Sequence, residues 1–271
     1  MALRGLVSWM VVGLAGAAGL GCSPSSPAPA SVSDGGVTGP ARTDAGGDPA
    51  TGCAAAKLPG APSYDPLIVA ANFSATIDNP YLPLTPGTVF SWRETTGQTG
   101  EITVTSETRT ILGVPCRVVH DVARAANGEV IEDTWDWYAQ DKEGNVWYFG
   151  EDTKAFQNGK AISTLGSWEA GVDCAKAGIV MKARPQVGDS YRQEYRAGIA
   201  EDRAEVVSLD ERVTVPYGAF EHCLMTKDYT DLEPGKYEHK FYCAGVGQVA
   251  AEEIVAVKKG DREELVSVVK P

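Results

Sequence analysis

The stretch EVIEDTWDWYAQDKEGNVWYFGE, residues 129–151, sets the fold class. From Glu129 to Gln140 the side chains alternate. Ile131, Asp133, Trp135, Trp137 and Ala139 fall on one face of a strand, and Val130, Glu132, Thr134, Asp136 and Tyr138 on the other. Glu143-Gly144-Asn145 is a turn, after which an aromatic run resumes at Val146, so the stretch reads as a β-hairpin. Trp135 and Trp137, with Trp147 and Phe149 across the hairpin, form an aromatic wall. That wall reads first as core, because aromatic side chains bury large areas; the alternative is a ligand face for a lipid chain or sugar ring.

The same pattern continues in both directions. Strands are expected over 88–94, 101–112, 116–124, 129–140, 145–150, 190–196, 203–215, 220–229, 236–243, 248–258 and 263–269. All are rich in Val, Ile, Thr, Tyr and Trp and are parted by Gly, Pro and Asp turns. Connections this short join antiparallel neighbours rather than βαβ units, and no stretch has a sustained helical period. The expectation is an all-β domain with minor helix, an antiparallel curved sheet or open barrel.

Residues 103–147 and 206–250 share an order of features: a Gly, a Cys (Cys116 and Cys223), a Tyr-bearing strand and a Gly-x-Val turn. This order points to two similar meanders.

Three stretches carry a family resemblance: Asn79–Gly87 (NPYLPLTPG), Asp136–Glu151 and Ala200–Glu205 (AEDRAE). They resemble a family of exported bacterial β-rich proteins and lipoproteins to which no activity is attached. The second half, with Gly218-Ala-Phe220, a Tyr-bearing strand and Gly245-Val-Gly-Gln-Val249, is similar to half-barrel periplasmic proteins related to lipoprotein carriers. That resemblance implies a curved sheet cupping an apolar ligand or a plug.

The N-terminus reads as an export signal. Arg4 precedes an uncharged run of Leu, Val, Ala and Gly that ends in Ala18-Gly19-Leu20-Gly21-Cys22. Small residues before a Cys fit a lipoprotein signal peptide over 1–21, with lipid on Cys22. Residues 22–63 are dominated by Pro, Gly, Ala, Ser, Thr and Asp, without an aromatic side chain. Such a segment reads as a disordered tether, reaching about 35 Å on average, that holds the domain 64–271 off a membrane. The expected location is the bacterial cell envelope, at the periplasmic or surface face of the outer membrane.

With 24 Lys and Arg against 36 Asp and Glu, the chain is acidic, which argues against nucleic acid as partner. Six cysteines suit an exported protein. With Cys22 lipidated and Cys53 in the tether, the expected bridges are Cys116–Cys223 and Cys174–Cys243.

Candidate chemistry is sparse. Glu132 and Asp136 share a face but lie about 13 Å apart at strand rise, too far for a glycosidase pair on their own. His239 shares a parity with Tyr237, Phe241 and Cys243, which is expected to point inward, and could act as a general base. Glu201, Asp202 and Glu205 are a weak candidate for a divalent cation, and as a plain reading a solvated acidic face. No nucleophile elbow, zinc helix, dinucleotide fingerprint or P-loop occurs, and no cofactor is expected. The leading expectation is a non-enzymatic envelope module, tied to the membrane by its N-terminal lipid, that binds a lipid-like ligand or an envelope protein. The alternatives are a secreted hydrolase or isomerase using Glu132, Asp136 and His239, and a cation-binding protein.

Overall fold

The computed structural model describes residues 64–271, together with a separate two-stranded pair, Ala2–Arg4 with Trp9–Val11. Cys22, Cys53 and the tether expected over 22–63 lie outside the described residues.

Eleven long strands build the domain: β1 (Val89–Glu94), β2 (Thr99–Ile111), β3 (Val114–Arg124), β4 (Val130–Asp141), β5 (Val146–Gln157), β6 (Lys176–Met181), β7 (Arg203–Val215), β8 (Gly218–Tyr229), β9 (Lys236–Cys243), β10 (Gly247–Val255) and β11 (Lys258–Val269). They form one curved antiparallel sheet in the order β7-β8-β9-β10-β11-β1-β2-β3-β4-β5-β6. Two meanders, β2–β5 and β7–β10, are joined through β11 and β1, where Val269 pairs with Val89 and Glu263 with Glu94. Regular helix is confined, among the described residues, to a single 3-10 turn at Ala70–Asn72.

The ladder does not close into a barrel, yet its two edges meet on one short segment. Ser190–Arg192 pairs with β7, and Glu194–Tyr195 pairs with β6. The strand expected over 190–196 is therefore split at Gln193 between the two edges.

At one end of the sheet the segment before β1 folds inward as a plug. Ile77, Leu82 and Leu84 are buried, and the Leu84 amide donates to the Ile77 carbonyl. Asn79 fixes the plug: its side-chain amide donates to the carbonyls of Gly144 (2.9 Å) and Lys182 (3.2 Å). The plug thus occupies part of the concave face. Gly150, at φ 138°, shows how tightly the layers meet, since a Cβ there would strike the Trp168 carbonyl.

The disulfide differs from expectation. Cys223 is bonded to Cys243, with Cα atoms 4.4 Å apart, while Cys116 is buried and free. Cys174 is disulfide-bonded as well, but Cys243 is already taken. The pairings Cys116–Cys223 and Cys174–Cys243 are therefore both wrong. They assumed that the two meanders face each other at their cysteines. Instead β8 and β9 are hydrogen-bonded neighbours, and Cys223 and Cys243 lie one step beyond the Leu224–Tyr242 pair. Directly opposed residues at the short spacing of an antiparallel ladder suit a cross-strand bridge.

Candidate functional site: a buried acid and tyrosine array

Alternation places polar side chains inside the sheet. On β4 the buried set is Glu132, Thr134, Asp136 and Tyr138, while Ile131, Asp133 and Trp135 are only partly covered. On β9 it is Glu238, Lys240 and Tyr242, with Tyr237 and His239 turned outward. Apolar packing is supplied by the strands around them and by the plug.

In the first meander, Asp136 sits opposite Glu151 across the β4–β5 ladder. Both are buried. The Tyr148 hydroxyl donates to Asp136 Oδ1 at 2.5 Å and also engages Glu151. Tyr138 stacks on Tyr148, with centroids 4.8 Å apart, and Trp168 packs edge-on against Tyr148. Trp168 Nε1 in turn donates to Glu194 Oε2 at 2.8 Å. Thr134 and Thr153 share a hydrogen bond of 2.7 Å on the same face.

In the second meander, Lys240 is 1 % exposed and holds Asp228 Oδ2 at 3.4 Å and Glu238 Oε2 at 3.7 Å. Thr226 donates to Asp228 Oδ1 at 2.6 Å, and Gln193 Nε2 donates to Asp228 Oδ2 at 3.0 Å.

Removing carboxylates from water penalises their charged form. Desolvation raises Asp136 to about 7, against the opposing pull of the Tyr148 hydrogen bond. Burial also lifts Glu151 well above the carboxylate range, helped by the neighbouring charges of Asp136 and Glu132. Glu194 rises for the same reason, with Asp202 and Glu151 adding to it. Asp202 is half-buried, and desolvation takes it to about 7. Lys240 is pulled down by desolvation, yet Asp228, Glu238 and Asp202 outweigh that and raise it. Burial thus favours the protonated forms of Asp136 and Glu151 in the first meander and of Glu238 in the second, where Lys240 stays charged. Asp136 Oδ2, Glu194 Oε1, Gln193 Oε1 and the Tyr138 hydroxyl find no hydrogen-bond partner among the described residues.

The array reaches the surface on the second meander. A cleft of about 40 Å³ lies over Asp202, Asp228, Glu238 and Lys240, rimmed by Glu233, Lys236, Tyr237 and Glu253. Lys236 bridges Glu233 (3.7 Å) and Glu253 (3.9 Å). The ring of Tyr237 and that of Tyr229, which also lines the cleft, both carry the Lys227 ammonium, at 4.8 and 5.3 Å from their centroids.

Of the residues singled out from the sequence, Glu132 and Asp136 do share the inner face, but His239 does not join them. Its ring faces outward beside Tyr237, 5.2 Å away, and burial lowers its pKa. The parity of that strand holds, but the face with Glu238 and Lys240, not the face with Tyr237 and His239, turns inward. The aromatic wall is also divided. Trp135 stacks on His120 at 3.9 Å on the outer face, and Trp137 is buried beneath the Arg109 guanidinium. Trp147 donates to Asp141 (2.7 Å), and Phe73 covers both Trp147 and Phe149. Glu201 accepts the Gly198 amide, Asp202 faces the array and Glu205 lies in the ladder opposite Lys227. Among the described residues no group of three His, Cys, Asp or Glu is placed to hold a metal ion. Lys240, Glu151, Glu194, Asp228 and Glu238 were missed. The available signal was that Glu238, Lys240 and Tyr242 share parity, just as Thr134, Asp136 and Tyr138 do.

No family model matches the chain, and no curated protein does. Two solved structures resemble it. One is a protein described as exported, with a YmcC-like fold, from Bacteroides fragilis: 16% identity and a TM-score of 0.43 over 70% of this chain and 99% of that one. The other is described as a lipoprotein from Parabacteroides distasonis, with 13% identity and a TM-score of 0.41 over 70% of this chain and 98% of that one.

Proposed function

We propose that this chain is a lipoprotein of the bacterial envelope, anchored through Cys22, whose β-domain is a non-enzymatic module that binds a partner protein through basic side chains. The cleft over Lys240 carries the reading. Five acidic side chains (Asp202, Asp228, Glu233, Glu238 and Glu253) stand there with two lysines, and burial raises the pKa of Asp202 and Glu238 among them. Acid walls beside aromatic rings suit an ammonium or guanidinium group, by charge and by cation–π contact. Lys227 already makes that contact with Tyr229 and Tyr237. A lipid-like ligand on the concave face has less support, because Ile77, Leu82 and Leu84 of the plug are buried there with the acid and tyrosine array. The hydrolase reading loses its base, since His239 points away from Glu132 and Asp136.

Titration of the mature protein with a lysine-rich peptide, followed by NMR, tests the binding. Shifts centred on Tyr229, Tyr237 and Glu253, weakened in Glu233→Gln/Glu253→Gln, are expected. No response at millimolar peptide, or an equal response to a glutamate-rich peptide, overturns it. For the anchor, Cys22→Ala is expected to leave the membrane fraction; retention there refutes lipidation.

A further inference from the structure

We propose that Ser190–Tyr195 is a pH-operated clasp, closed at mildly acidic pH and released at mildly alkaline pH, that governs access to the interior between β6 and β7. It shares Asp202, Asp228 and Lys240 with the cleft but does not depend on what the cleft binds.

The geometry comes first. The segment bridges the two edges of the sheet with few ladder pairs. Ser190, Tyr191 and Arg192 pair with Glu205, Ala204 and Arg203 on β7, while Glu194 and Tyr195 pair with Ala177 and Lys176 on β6. Elsewhere neighbouring strands share long ladders, such as the one from Thr99–Arg124 to Ile111–Val114. An element with few backbone bonds opens at low cost, so its side chains decide whether it stays. It lies tightly on β6: a Cβ at Gly178 would strike the Gln193 backbone.

The side chains that hold it are polar and buried. Glu194 is 0 % exposed and is held by Trp168 Nε1, and Gln193 is held to Asp228. Glu194 Oε1 and Gln193 Oε1 have no partner among the described residues. The groups that face Glu194 come from both sides of the seam: Glu151 on β5, Asp202 at the start of β7 and Lys240 on β9. Lys240 is already shared between Asp228 and Glu238. Lys176 on β6 turns to Asp65, and Arg192 on the clasp lies over Tyr64 and Tyr195. Closing the seam thus brings three carboxyl groups together around one occupied lysine. With protons on, they are neutral and tolerate burial. Without them, they repel in a poorly hydrated interior, and opening restores their water.

The direction follows by linkage. Burial, first, and then the neighbouring acids raise Glu194 and Glu151, and desolvation raises Asp202 to about 7. In the open state these groups return toward ordinary carboxylate values. The closed state therefore binds more protons, is favoured at low pH and is lost as pH rises toward and past 7.

Hydrogen exchange of the mature protein at pH 5.5 and 8.0, corrected for intrinsic rates, tests this. Peptides over 176–181 and 190–204 are expected to lose protection by at least tenfold at pH 8.0, while β10, β11 and β1 hold theirs. Glu194→Gln is expected to remove most of that difference, and Asp202→Asn to reduce it if the first variant fails to fold. Equal protection of the clasp at the two pH values overturns the proposal. So does a uniform loss across the sheet, or a pH response unchanged in both variants.

Discussion

The two meanders run on the same rails but solve burial differently. In β3–β4, Asp121 pairs with Thr134, Val119 with Asp136 and Arg117 with Tyr138. In β8–β9, Asp228 pairs with Glu238, Thr226 with Lys240 and Leu224 with Tyr242. Both meanders break register next to the inward tyrosine, between Trp137 and Tyr138 in one and between Phe241 and Tyr242 in the other. At matching inward positions, one meander has Asp136 and the other Lys240. The first keeps its acids inside by letting them hold protons and by leaning them on Tyr148. The second does it by ion pairing. An interior position on a β-sheet therefore specifies size and direction far more firmly than it specifies charge.

Lys240→Met breaks the comparison most severely. It leaves Asp228 and Glu238 buried without their counter-ion, and the expected loss of stability is about 3–5 kcal/mol in urea unfolding. A loss under about 1 kcal/mol would mean that those acids are neutral, as in the first meander. The next test transplants the disulfide. Cys116 lies one step beyond the Arg117–Tyr138 pair, and Ala139 is the next residue past Tyr138 on β4, as Cys223 and Cys243 flank the Leu224–Tyr242 pair. Ala139→Cys is expected to bridge to Cys116 and to stabilise by about 3 kcal/mol in the chain-entropy model. Intact-mass analysis without reductant checks it; two free thiols would show that the meanders diverge at that end. Asp136→Asn has the smallest effect. The folded pKa of Asp136 is raised to about 7 from an ordinary 3.8. Its contribution is full below pH 4 and is lost as pH climbs to 7, so the protein is expected to melt higher at pH 5 than at pH 8. The amide removes that loss, so the difference in stability between pH 5 and pH 8, about 2–3 kcal/mol from this one group at about 1.36 kcal/mol per pKa unit, is expected to vanish. A melting temperature that falls equally with pH in both proteins would clear Asp136 of the effect.

Much of the fold was legible before any coordinates. The alternation in 129–151 and the short turns announce an antiparallel all-β domain, and β7 and β9 appear with the bounds the pattern implies. β6 was not seen: Lys176–Met181 follows a long loop and lacks a flanking hairpin turn. The inner face was misread at Tyr237–Cys243 because an aromatic-rich side was taken as the buried one. Here the outer aromatics are clad by neighbours, as Trp135 is by His120, and the polar row turns inward.

The sequence alone determined most of the strands, their parity and the acidic balance, because these are local or additive properties of the chain. Only the tertiary structure decided which face is inside, which cysteines meet and which acids share an interior. It also brought both sheet edges onto Ser190–Tyr195. Those depend on pairings between residues far apart in the chain. A one-residue alternation has two sides but no inside until the sheet curves and the plug at Ile77–Leu84 fills one of them.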